Sequence, residues 1–257
     1  MDAPACVVRS NPGPLSRLTW LGHSTVVVDL DGTRLVTDPV LRRRIWHLRR
    51  DAAVPTASLG ELQAILLSHN HFDHVDLPSL DRLDRSLQVV APHGTGRLVR
   101  KRGFERIVEL AEGDAIELGA VRVRATHAEH ESSRGPFSAR SPALGYVVEG
   151  SASVYFAGDT DLFDGMREVG PVDVALLPVS GWGARLGPGH LDPAGAAEAL
   201  GLLRPKTAVP IHWGTFRTPF ALRPDDRPAR EFARLAREAA PGVDVRLLAI
   251  GETLALE

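Results

Sequence analysis

Ala64-Ile65-Leu66-Leu67-Ser68-His69-Asn70-His71-Phe72-Asp73-His74 joins a continuous apolar run to three histidines and an aspartate within six residues. An apolar run without alternation reads as a strand buried on both faces. The polar cluster begins where that strand runs out, a position where chains tend to carry functional groups. His69 and His71 are two apart, so an extended backbone points both imidazoles the same way. Asp73 and His74 follow as the chain turns and can face a second point close to the first. Imidazole and carboxylate are ligands that zinc accepts.

Three later stretches repeat the arrangement: Thr126-His127-Ala128-Glu129-His130, Ala157-Gly158-Asp159-Thr160 and Pro210-Ile211-His212-Trp213-Gly214. Each sets a candidate ligand just past an apolar run. Strand ends of one sheet converge on one edge, so these positions can meet. A lone histidine at a strand end is more often a hydrogen-bonded core residue, but four such places together favour a metal centre.

Outward from these motifs, residues 17–21, 25–30, 33–37, 64–67, 88–91, 106–110, 115–118, 121–126, 143–149, 153–157, 172–179, 207–211 and 243–250 read as strands. Asp31-Gly32 and Gly119-Ala120 are hairpin signals. Helices are expected at 94–102 and 161–169, from Asp192 as N-cap with Pro193 at the first turn through Leu203, and at 227–239. Two strand-rich halves, each with a few helices, predict an α/β (α+β) protein with two sheets packed together and helices outside. No G-x-G-x-x-G follows the first strand, which argues against a Rossmann winding.

Composition sets the outer bounds. The 257 residues are 44% hydrophobic and 24% charged, as in an ordinary globular protein. Thirty basic against 32 acidic residues give a net charge of −2, so no basic field argues for nucleic acid. A single cysteine, Cys6, excludes an internal disulfide framework and a cysteine-rich zinc module. No apolar run approaches the roughly 18 residues of a membrane span, and the first residues lack a secretory pattern. A cytoplasmic protein with one domain over 1–257 is the expectation.

H-x-H-x-D-H after an apolar strand, a later histidine, Gly158-Asp159-Thr160 and His212 together resemble the metallo-β-lactamase fold superfamily. Trp20-Leu21-Gly22-His23-Ser24-Thr25 and Thr37-Asp38-Pro39 resemble its opening strands. Gly189-His190-Leu191-Asp192-Pro193 and Ile211-His212-Trp213-Gly214-Thr215-Phe216 resemble the branch of N-acylphosphatidylethanolamine-hydrolysing phospholipase D and the ascorbate-phosphate lactonases. The resemblance implies a four-layer αββα sandwich of two mixed sheets flanked by helices, with two zinc ions; manganese or iron are alternatives. Carried over, His69, His71 and His130 would hold one ion, Asp73, His74 and His212 the other, and Asp159 would bridge them. Counting from the strand end instead would favour His127 over His130. The implied chemistry is hydrolysis of a small ester, lactone or phosphodiester by a metal-bound hydroxide, with His190, Asp73 and Asp159 as candidate catalytic residues. A phospholipase D-like activity on a lipid headgroup, a non-catalytic metal-binding regulatory protein and a di-iron redox protein are the alternatives.

Further residues carry weaker signals. His190, in a Gly-Pro-Gly loop before a helix start, can reach over the metals. Asp38 is a candidate to fix a ligand imidazole, or a turn aspartate before Pro39. His23 reads as a structural residue. Leu41 to Arg50 holds five arginines, either a solvated segment or a lid for an anionic small-molecule substrate. Trp182 and Trp213 are candidate pocket walls or core. Sandwich proteins of this kind often self-associate, and a homo-oligomer stays open.

Overall fold

The computed structural model describes residues 16–132, 141–180, 186–218 and 225–256. Trp182 lies outside them. Two seven-stranded mixed sheets dominate. The first runs in space as Thr253–Ala255, Arg17–Gly22, Thr25–Leu30, Thr33–Thr37, Ala64–Leu66, Gln88–Pro92 and Ile107–Leu110. The second runs as Asp244–Val245, Thr207–Ile211, Val174–Pro178, Ser153–Phe156, Leu144–Glu149, Val121–His127 and Ala115–Leu118.

Alternation along the strands explains the layering. Val26, Val28, Ala64 and Leu66 of the first sheet meet Val123, Tyr146, Val148, Phe156 and Val209 of the second in one core between the sheets. Their neighbours Val27, Val36, Ile65 and Val89 point outward, onto Leu80, Val99 and Phe104. On the far side, Val147, Tyr155, Ala175 and Leu177 pack against helices Pro193–Leu203 and Arg227–Ala239 through Ala196, Leu200, Phe232 and Ala236. Strands covered on both faces need apolar residues at every position, which is why they read as unbroken apolar runs. The architecture is the expected αββα sandwich.

Three elements differ from expectation. Only Met166–Val169 of 161–169 is helical. Asp161 instead accepts from the amides of Leu162 and Gly189, which holds the first residues as a loop. Of 243–250, only Asp244–Val245 is a strand. The chain then leaves the second sheet, buries Leu248 between the sheets, turns at Gly251 and adds Thr253–Ala255 to the first sheet, antiparallel to Arg17–Thr19. Finally, the arginine-rich segment forms a hairpin, Arg44–Ile45 and Leu48–Arg50, with Trp46-His47 at its tip. Phe216–Arg217 pairs with its second strand, and Val40, Ile45, Leu48 and Phe216 form a small core beneath it.

Candidate metal centre

Leu67 hydrogen-bonds to Val90 and continues the Ala64–Leu66 strand until Ser68. A turn closed by the amides of His74 and Val75 on the His71 carbonyl follows. Extension first and a turn second give the two orientations the spacing predicts. Asp76 then caps the short helix Leu77–Leu80 through the Ser79 amide.

His69 Nε2 lies 3.0 Å from His71 Nδ1, and His130 Nε2 lies 3.1 Å from the same atom. His127 is elsewhere: it bonds Glu112 and Glu129 at the surface, against the Phe163 ring. The third imidazole beside His69 and His71 is therefore that of His130. Gly189 fixes it, since His130 Nδ1–H donates to the Gly189 carbonyl at 2.7 Å. Gly189 has φ +80°, and a Cβ there would stand 3.0 Å from His130 Nδ1, so only glycine suits the position.

The second group surrounds two carboxylates. Asp159 Oδ2 is 3.2 Å from His74 Nε2 and 3.4 Å from His212 Nε2; Asp73 Oδ2 is 3.6 Å from each. Asp159 Oδ2 also approaches His69 Nε2 at 3.9 Å, which links the two groups. Gly158, at φ +63° with Ser68 Cβ 2.7 Å from where its own Cβ would be, allows the second-sheet loop this close. Donors held about 2.1 Å from one ion in a tetrahedron stand about 3.4 Å apart, so both groups have the spacing of a cation's donors. Among the described residues, His74 Nε2 and Asp159 Oδ1 are buried with no hydrogen-bond partner, as suits atoms meant for an ion.

Electrostatics separates the groups. Burial would raise Asp73 and Asp159, but His74, His212 and His23 around the first, and His212, His74 and His69 around the second, hold both well below the usual carboxylate range. Against burial, Asp159, Asp73 and Asp38 push His74 well above its ordinary value, and Asp159 and Asp73 raise His212. Burial lowers His69 and His71 and takes His130 down to about 4. One group is thus neutral imidazole, the other an anionic cavity that gathers positive charge.

Asp38 supports both. It accepts from His74 Nδ1 at 2.7 Å and from Ser68 Oγ at 2.5 Å, and Ser68 Oγ in turn accepts from His69 Nδ1 at 2.9 Å. Of the two readings of Asp38, the structure favours the one that fixes imidazoles, here those of the two donor groups. His190 Nδ1 faces the carbonyls of Gly187 and Pro188, and its Nε2 lies 3.7 Å from Asp159 Oδ2. Trp213 stacks on Trp20 at 5.0 Å and packs into the core rather than lining a pocket.

His23 is the residue that sequence reasoning undervalued. It is buried, with Nε2 3.1 Å from Asp73 Oδ2 and its ring 4.1 Å from that of His212. Burial, and then His212, lowers it to about 3. The available signal was a histidine directly after a glycine at a strand end, the same placement as the other clusters.

Among the arginines, Arg42 makes a forked pair with Asp76, and Arg50 is buried, donating to the carbonyls of Leu21 and Val40. Burial takes Arg50 down to about 10. Arg43 and Arg44 remain exposed. At the tip, Trp46 is 68% exposed and its ring lies 5.2 Å from that of Phe72, between His71 and Asp73.

Residues 33–213 match the Beta-lactamase superfamily domain. A metal-dependent hydrolase of Opitutus terrae is 36% identical over 93% of this chain and 99% of its own. N-acyl-phosphatidylethanolamine-hydrolyzing phospholipase D 1 of Caenorhabditis elegans is 30% identical over 81% of this chain and 67% of its own. The structure of Igni18, a metallo hydrolase of Ignicoccus hospitalis, superposes with a TM-score of 0.71 at 26% identity, covering 95% of this chain and 99% of that one. An αββα sandwich with its histidines and aspartates gathered at the strand ends defines the metallo-β-lactamase fold. The chain belongs to the metallo-β-lactamase superfamily, among its metal-dependent hydrolases.

Proposed function

We propose that the chain hydrolyses a small ester, lactone or phosphodiester at a centre of two zinc ions. The observation that supports this is the pair of donor groups joined at Asp159. His69, His71 and His130 would hold one ion, Asp73, His74 and His212 the other, and Asp159 would reach both. Imidazole and carboxylate suit zinc, and would also accept manganese or iron. Two divalent ions there would lower the pKa of bound water to about 7 and polarise the scissile centre. The chain's own groups complete the chemistry. Asp38 and the Gly189 carbonyl lock the tautomers of His74 and His130. With its Nδ1–H turned to backbone carbonyls, His190 would present an Nε2 lone pair to the site, where it can take a proton from the attacking water and pass that proton to the leaving oxygen.

A second reading, a lipid-like substrate, is favoured by the exposed Trp46–Phe72 pair at the edge of the donor cluster. An apolar ledge there suits an acyl or aryl group beside the scissile bond. The C. elegans relative, named for a lipid substrate, agrees with it.

The test is metal analysis of protein purified without added metal, followed by a panel of lactones, carboxylic esters and phosphodiesters. Two equivalents and turnover that chelation abolishes are expected. Fully folded, metal-supplemented protein that retains fewer than two ions would overturn the dinuclear assignment, and two ions without turnover would overturn the catalytic one.

A further inference from the structure

His23 comes from a strand pair far in sequence from the other donors, yet it stands within reach of Asp73, His74 and His212. It lies in the turn between Arg17–Gly22 and Thr25–Leu30, with φ +54°. That region is strained for a residue with a Cβ, and glycine or asparagine would occupy it more cheaply. A residue wanted only for the turn would not be an imidazole.

The backbone around it is over-determined. Its amide donates to Thr215 Oγ1 at 2.6 Å, and its carbonyl accepts from Trp20 Nε1 at 2.9 Å and from the His212 amide at 3.1 Å. Thus the main chain of His23 holds the main chain of His212. Its side chain reaches the other way: Nε2 is 3.1 Å from Asp73 Oδ2, the oxygen that also faces His74 and His212. Asp38, His23 and His212 are three of the described non-glycine residues with positive φ, and all three meet at this centre. Strain gathered at one place marks a site whose geometry is imposed by its surroundings.

We infer that His23 is a positioning residue for the second ion: it donates Nε2–H to Asp73 Oδ2 and ties that carboxylate to the His212 loop of the opposite sheet. The inference rests on the two-ion reading above. A carboxylate ligand has two oxygens and a free torsion. A donor on the facing side fixes which oxygen points at the ion, and loss of such partners typically costs about 10- to 100-fold in metal affinity.

The experiment titrates zinc-free protein with cobalt(II) against a competing chelator, following the d–d absorption of each equivalent. Wild type, His23→Asn and His23→Gln are compared. Asparagine tolerates the positive φ but its amide is too short to reach Asp73. Glutamine places an amide N–H near the position of Nε2. His23→Asn is expected to keep the first equivalent and weaken the second by about 10- to 100-fold, with His23→Gln recovering most of that loss. Equal weakening of both equivalents in both variants would reduce His23 to a fold residue and overturn the inference. So would wild-type affinity in His23→Asn. Loss of the second equivalent in His23→Asn and His23→Gln alike, with one nitrogen fewer in the cobalt spectrum, would make His23 a ligand and overturn it equally. Wild type that binds fewer than two equivalents refutes the two-ion reading itself, a result separate from any difference among the variants.

Discussion

At the scale of single residues, His190 and His212 carry different loads although both are histidines beside Asp159. His212 closes a buried strand and is enclosed, while His190 comes from a loop and stays partly exposed. His190→Ala is therefore expected to keep both metal equivalents and the fold, and to lower kcat by about 10²- to 10⁴-fold on a substrate of the wild type. His212→Ala is expected to lose an ion and activity together. Metal content measured beside kcat separates the cases: full activity in His190→Ala removes its proton-transfer role, and lost metal makes it a ligand. The cluster itself was legible because H-x-H-x-D-H needs only strand period and a turn to sort its donors. The choice of His130 over His127 came from the resemblance and not from the strand-end spacing, which favours His127. It depends on the Gly189 carbonyl, 59 residues away in sequence, which receives the His130 ring.

At the scale of elements, the hairpin Arg44–Ile45 and Leu48–Arg50 was the segment least open to sequence reading. Its strands are short, its composition is arginine-rich, and its pairing partner Phe216–Arg217 is remote. The structure gives its arginines unequal roles: Arg42 and Arg50 are spent on Asp76 and on backbone carbonyls, leaving Arg43, Arg44 and Arg49 exposed. The two substrate readings thus separate by mutation. Trp46→Ala is expected to raise KM for 4-nitrophenyl octanoate about tenfold and to spare 4-nitrophenyl acetate, since ~1.5 kcal/mol of lost apolar contact corresponds to that factor. Arg43→Ala with Arg44→Ala is expected to raise KM only for anionic esters, an effect that added salt mimics within a Debye length of about 8 Å. Equal effects on all esters would return the hairpin to a purely structural part. The strand expected at 243–250 held only at Asp244–Val245 for a different reason: Leu248 and Ile250 serve the inter-sheet core from a crossing segment, so their burial was read rightly and their pairing wrongly.

At the scale of the whole molecule, each donor group draws on both sheets. His69, His71, Asp73 and His74 follow a first-sheet strand, whereas His130, Asp159 and His212 follow second-sheet strands. Bound ions would clip the layers together, so chelation is expected to lower Tm by about 5–10 °C, the shift that ~2.7 kcal/mol of ligand stabilisation gives a chain of this size. Acid is expected to strip the groups in order. Protons compete with an ion for imidazole, so the group whose His74 and His212 are raised should release its ion at a higher pH than the group whose His69, His71 and His130 are lowered. Stepwise metal release against pH checks this, and a single step would refute it. One feature of the sandwich also governs its synthesis. Thr19 and Thr253 hydrogen-bond at 2.8 Å across 234 residues of chain. On the ribosome the Arg17–Gly22 strand emerges long before its outer neighbour Thr253–Ala255. For that whole interval the growing chain carries an open sheet edge, the kind that pairs with strangers, until Thr253–Ala255 covers it.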